Sequence, residues 1–232
     1  MKQLDPHAPA PEIKRKAQKI YQILLHTYGL PEWRLPLPAL DELVSTILSQ
    51  NTNDVNRDRA FENLRECLPT WEAVRDADED VIIDAVRIAG LANQKGPRIQ
   101  QVLRQISAER GELSLEFLRD LNREEALQWL QAQKGVGPKT AAIVLQFSLG
   151  IPAFPVDTHV YRVSGRLGIR PVKMDVEMTH IWMEMLFDPD QYGPGHLNFI
   201  RHGREICHAR KPECSNCPLA QLCDFYQYDG AA

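Results

Sequence analysis

The chain has 232 residues, 44% of them hydrophobic and 25% charged, with a formal net charge of −4. That length is enough for one large core or two small ones, and the composition is that of an ordinary soluble domain. The longest apolar run, residues 141–156, is broken by Gln146, Pro152 and Pro155, which argues against a membrane span. Residues 1–16, with Pro6, Pro9 and Pro11, read as a loose tail and not as a secretory leader.

Strand patterns are nearly absent and helical periodicity recurs. Residues 13–28 place Ala17, Ile20, Tyr21, Leu24 and Leu25 on one face, and Gly29 ends the helix. Pro31, Pro36 and Pro38 make a rigid connection. An apolar helix over 40–48 follows, then the polar break Ser49-Gln50-Asn51-Thr52-Asn53. A helix over 54–68 ends at Pro69, and two short helices follow, one opened by Thr70 and one over 78–88 before Gly90. Residues 94–109 are amphipathic through Ile99, Val102, Leu103 and Ile106, with Gly111 as the stop. Ser114 can cap 115–120. Helices over 123–133 and 138–149 flank Gly135-Val136-Gly137, and further helices are expected over 157–167, 176–187 and 197–206. About ten short helices with brief loops predict an all-α fold.

The glycine turn is the most informative part. Glycine takes positive φ at no steric cost, and Pro138 suits the first helical position, where an N–H has no partner to lose. Free amides of such a turn favour an anion, one way to hold a phosphate without reading sequence. Lys139 follows in the first turn, where the helix dipole disfavours a cation and so favours the neutral, nucleophilic amine. Eighteen residues on, Asp157 precedes Thr158-His159-Val160 as a natural N-cap. Helix amides keep such a carboxylate ionised, fit to stabilise a cation or steer a proton. His159 is expected to be structural or a phosphate contact.

Charge is uneven. Residues 54–84 hold ten acids and four bases, whereas 134–173 hold six bases (Lys134, Lys139, Arg162, Arg166, Arg170, Lys173) and the single acid Asp157. Arg201, Arg204, Arg210 and Lys211 follow, opposed within 195–211 by Glu205. One part of the chain can face phosphates although the total charge is negative.

Four of the five cysteines, Cys207, Cys214, Cys217 and Cys223, have the spacing C-x6-C-x2-C-x5-C. In the reducing cytosol expected for this chain they are metal ligands, for zinc or a [4Fe–4S] cluster, and not disulfides. Zinc ribbons pair two narrow knuckles, and only Cys214-x-x-Cys217 is narrow here. The fifth, Cys67, is expected to be a core thiol.

At these residues the chain resembles the endonuclease III family of helix-hairpin-helix DNA glycosylases, over nearly its whole length past the tail. The resemblance implies two helical domains flanking a DNA-binding cleft. One is a six-helix barrel over 32–151 with the hairpin. The other is a cluster domain over 152–232, joined by the N-terminal segment 1–31. It implies Lys139 and Asp157 as catalytic residues and a [4Fe–4S] cluster on Cys207, Cys214, Cys217 and Cys223. Gly90-Leu91-Ala92-Asn93 resembles the family's minor-groove loop, which makes Leu91 a wedge. Residues 48–54 lie where the family has a second inserting loop, with Gln50 or Asn51 as the intercalating side chain. Gly135, Val136, Gly137, Arg210 and Lys211 would contact DNA. The implied partner is duplex DNA with damaged bases or abasic sites, acted on by a monomer. The implied reaction is excision of an oxidised pyrimidine through a lysine Schiff base, then β-elimination. A different base choice, activity mainly as an abasic-site lyase, or a non-catalytic DNA-binding hairpin are the alternatives. Two departures stand out: Gln133-Lys134 replaces the usual Leu-Pro before the hairpin, and Gln50-Asn51-Thr52-Asn53 differs from the common Ala-Gln-Ala-Thr.

Overall fold

The computed structural model describes residues 8–31 and 36–228, and among them every regular element is a helix. The chain divides into two compact units, Met1–Arg34 with Pro152–Ala232, and Leu35–Ile151.

The Leu35–Ile151 unit is organised by α2 (Ala39–Leu48), in which nine of ten residues are buried. A helix buried on nearly all sides, Glu42, Ser45 and Thr46 included, belongs inside a core. It contacts α3 (Asp54–Cys67), α6 (Ala92–Arg110) and α8 (Pro138–Val144). In turn α6 packs on α4 (Trp71–Asp76) and α5 (Glu79–Ala85), and α7 (Arg123–Ala132) packs on α8. A Cβ on Gly96 would stand 2.9 Å from Ile83 Cγ1, so α5 and α6 approach through the missing side chain. The starts are fixed locally. Asn53 Oδ1 accepts from Asn56 N at 2.8 Å, Thr70 Oγ1 from Ala73 N at 3.1 Å, and Asn122 forms a capping box with Glu125. Such caps each contribute about 1 kcal/mol. Beyond Val144, α8 runs on as a π turn over Leu145–Leu149, closed by Gly150 at φ 66°. Cys67 corrects the sequence reading: it is exposed at the end of α3, whose buried side consists of Ala60 and Leu64.

The other unit comprises α1 (Pro11–Tyr28), α9 (Thr158–Arg166), α10 (Val176–Leu186), α11 (Tyr192–Glu205) and the short α12 (Asp224–Tyr228). Its core joins Ile20 and Leu24 to Phe154, Val160, Val163, Met183, Leu186 and Phe199. Phe154 stacks on Phe187 with centroids 5.5 Å apart. The residues of α1 are therefore far from this core in sequence and inside it in space. Helix α11 begins five residues earlier than the sequence reading placed it, despite Gly193-Pro194-Gly195. Pro194 falls in the first turn, where no N–H has an acceptor within the helix. Gly195 leaves room for Phe154, whose ring would lie 3.4 Å from an added Cβ.

Candidate DNA-binding loops, catalytic pair and cluster site

The hairpin is built as its residues demand. Gly135 has φ 88°, and a Cβ there would be 2.5 Å from Arg98 Cδ, so both backbone and neighbour require glycine. Val136 differs from expectation: its side chain is buried and its N–H donates to Gln133 O at 3.0 Å. It anchors the turn, and the exposed Gly135 and Gly137 remain to face a ligand. The first helical bond of α8 runs from Ala141 N to Gly137 O, at 3.0 Å, which leaves the N–H groups of Lys139 and Thr140 unused by the helix. Lys139 is half-buried in that first turn, while Thr140, Ala141 and Ala142 are buried on the core side.

Two further loops lie in the same unit. Gln50 and Thr52 are half-buried, Asn51 and Asn53 exposed, between α2 and α3. Gln50 Oε1 accepts from Arg98 Nη1 at 2.8 Å. Leu91 projects with 46% exposure from the turn between a 3-10 turn over Arg87–Ala89 and α6. Among the described residues the non-glycine residues at positive φ are Asn51 (53°), Leu91 (51°) and Lys211 (52°). Asparagine tolerates this conformation, but a leucine held there costs roughly 1–2 kcal/mol. Strained backbone of this kind concentrates at functional sites, and each of the three falls on a loop that the sequence reading assigned to DNA.

Asp157 lies in the other unit. Its Oδ1 accepts from Val160 N at 2.8 Å, and it is half-buried at the head of α9. Next to it, His159 Nδ1 accepts from Arg162 Nη2 at 3.0 Å. Burial pulls the His159 pKa down, against the opposing pull of Asp157 and with the help of Arg162 and Arg204. A neutral ring held in this way is a packing element. Arg162 also donates to Cys207 O at 3.0 Å and Gly203 O at 2.9 Å, tying α9 to the cysteine loop.

Cys207, Cys214, Cys217 and Cys223 form no disulfide and line one partly open cavity of about 20 Å³, together with Arg166, His202 and Phe225. Among the described residues no group of three His, Cys, Asp or Glu side chains is placed to hold a single metal ion. Burial pushes the Cys217 thiol up to about 11 and raises that of Cys223. Sulfurs so placed become thiolates only against strong positive charge, which iron supplies. The donor set therefore fits an iron–sulfur cluster, held by these four cysteines.

The surroundings suit that ligand set. Arg166 Nη1 lies 3.3 Å from Cys207 Sγ and donates to His208 O. His202, fully buried on α11, is hydrogen-bonded through Nδ1 to Tyr28 Oη at 3.0 Å and places Nε2 3.6 Å from Cys217 Sγ. Burial lowers the pKa of His202 to about 4, so the ring is neutral at physiological pH. Arg166, His202 and Tyr28 could not be placed at this site from the sequence, because nothing in the spacing of the cysteines points to α1, α9 or α11. Arg210 and Lys211 are exposed on the loop between the first two cysteines.

Comparison with known proteins agrees with this arrangement. Residues 44–186 match the HhH-GPD superfamily of base excision DNA repair proteins, and residues 207–223 match the iron-sulfur binding domain of endonuclease III. The second match begins and ends on cysteines of the cavity. These matches define the class: a helix-hairpin-helix protein of base excision repair with an iron–sulfur loop. Endonuclease III of Thermotoga maritima is 34% identical over 81% of this chain and 84% of its own. A protein of Arabidopsis thaliana named for DNA glycosylase activity is 39% identical over 77% of this chain, which spans 58% of that protein's length. A trapped endonuclease III–DNA covalent intermediate has the same fold, with a TM-score of 0.81 and 25% identity over 92% of this chain and 97% of that one. The chain belongs to the endonuclease III family, DNA glycosylases and abasic-site lyases that bind DNA and carry a [4Fe–4S] cluster.

Proposed function

We propose that this chain excises oxidised pyrimidines from duplex DNA and nicks the strand at the resulting abasic site, with Lys139 as nucleophile and Asp157 as the supporting carboxylate. The observation that carries the reading is Lys139 itself, half-buried in the first turn behind the Gly135–Gly137 turn. DNA binding alone needs no amine there. A fold-level relative caught as a covalent DNA intermediate supports the same chemistry.

The damaged base is flipped out of the stack. Leu91 enters the stack as a wedge, and Gln50 or Asn51 faces the orphaned base. The Lys139 amine attacks C1′, and the C1′–N bond breaks with the electron pair leaving on the base, which takes up a proton. Asp157 stabilises the cationic sugar and steers the protons. Ring opening gives the C1′ imine on Lys139. Loss of a C2′ proton then breaks the C3′–O bond, leaving a nick 3′ to the site, and water releases the lysine. Exposed Gly135, Gly137, Arg210 and Lys211 hold phosphates, which positions the duplex without reading sequence. When bound, the cluster fixes the fold of the loop that carries Arg210 and Lys211.

The enzyme acts as a monomer, in a reducing compartment where its thiols stay available for iron. Borohydride added during turnover on a duplex with one oxidised pyrimidine is expected to trap the wild-type protein on DNA. Lys139→Gln is expected to give no adduct and no nick. Equal trapping by that variant would remove Lys139 from the chemistry. A parallel panel of single-lesion duplexes reads the base choice directly.

A further inference from the structure

The two loops assigned to DNA insertion, 49–53 and 90–93, are distant in sequence, yet one buried side chain touches both. Lys95, on α6, is 1% exposed. Its Nζ donates to Leu48 O at 2.8 Å and to Ala89 O at 2.8 Å. Leu48 is the last residue of α2, directly before the first loop, and Ala89 directly precedes Gly90. The main chain of the same residue adds a third bond, from Lys95 N to Leu91 O at 2.9 Å. The Lys95 side chain therefore holds the carbonyls directly before both loops, while the first backbone bond of α6 holds that of the left-handed Leu91.

Lysine is among the residues least often buried whole, and burial of its amine is costly unless every donor is used. Filling space does not require it: Ile99 and Leu103 do so on the same helix. Burial lowers the Lys95 pKa, and the amine donates to one carbonyl on each side of the gap between the two loops. One turn along, Arg98 grips the Gln50 side chain at 2.8 Å and lies over Gly135. One edge of α6 thus fixes both inserting loops and the hairpin.

We propose that Lys95 is a positioning residue that locks the two inserting loops in a common register, so that Leu91 and Gln50 enter the duplex together. The proposal rests on the insertion reading given above. Lys95 itself touches neither DNA nor the reacting atoms.

The test uses full-length, cluster-loaded Lys95→Met, which keeps an unbranched side chain one atom shorter and removes its donors. Amide exchange in both 49–53 and 89–93 is expected to rise at least tenfold, with the hairpin amides unchanged. Single-turnover excision is expected to fall at least tenfold, while affinity for undamaged duplex and its salt dependence stay the same. A merely structural lysine would lower the melting temperature and leave excision by the folded fraction intact, and that result overturns the proposal. So does loosening of one loop alone. Leu91→Ala and Gln50→Ala run alongside. If both excise at the wild-type rate, the insertion reading fails; if both are slow and Lys95→Met is not, the insertion reading stands and the lock is wrong. Should Lys95→Met not fold, Lys95→Arg, which keeps donors on a wider head, is expected to loosen both loops together, and loosening of one alone would again overturn the lock.

Discussion

The hairpin of the Leu35–Ile151 unit and the cysteine loop of the other unit both carry candidate phosphate contacts, yet they are held in place by different means. The hairpin stands between two helices whose inner faces, including Leu130, Ala141 and Val144, are fully buried. Apolar packing of these faces, with Arg98 of α6 over Gly135, positions Lys139. Between Cys207 and Asp224 the described structure has only 3-10 turns, and Leu219 and Cys223 are its buried side chains. A stretch with so little buried apolar area does not offset the entropy of ordering a loop. Arg162 and Arg166 anchor its first residues through carbonyls, and the metal must do the rest. The proposed nucleophile rests on a core; a basic loop with little core of its own needs a cofactor.

Removal of the iron should break this contrast most sharply. Removal of the iron by a chelator under reductant is expected to open residues 207–228 to protease and amide exchange, with helices α2 to α8 as protected as before. Equal loosening of both units would mean that the hairpin also depends on the cluster.

Asp157→Asn should come next in size. Asparagine caps a helix as well as aspartate, so the fold holds while the charge is lost. A fall in excision of roughly 10²–10⁴-fold is expected, with abasic-site binding retained. A near-normal rate would leave Asp157 as a cap and nothing more.

The surface charges should separate the two regions further. Lys211→Glu or Arg210→Glu should weaken binding to damaged and undamaged duplexes alike. Each phosphate no longer held should lower the slope of log affinity against log salt by about one. Leu91→Ala should slow excision with that slope unchanged. A lowered slope for Leu91→Ala would show that its loop serves phosphate binding and not insertion.

The smallest effect concerns pH. Lys95 titrates below the ordinary lysine value of 10.5 in the folded protein, so between the two values the unfolded chain binds more protons than the folded one. Wild-type stability therefore gains as pH rises through that window, and Lys95→Met does not share the gain. The difference in melting temperature between the two is expected to widen with rising pH; a difference independent of pH would mean the amine titrates normally.

Much of this was legible in the residue order. Period-3.6 patterns, glycine stops and Asn, Thr and Asp caps are local, so α1 to α11 were visible, with α11 started late because Pro194 reads as a breaker outside a first turn. The glycine hairpin and the cysteine spacing are also local, and so was the chemistry they suggest. The burial of Cys67 is not legible in the sequence, because a thiol on a helix has no fixed face until its neighbours exist.

The sequence by itself determined the all-α class, the hairpin turn and the four thiols, since each follows from the backbone preferences or chemistry of adjacent residues. Only the tertiary structure decided that Val136 faces inward, that Tyr28 from the first helix orients His202 toward Cys217, and that Lys95 joins two loops about 40 residues apart. Each of those depends on the burial of a polar or apolar group against a partner distant along the chain, and burial is a property of the packed core, which no local window of the sequence contains.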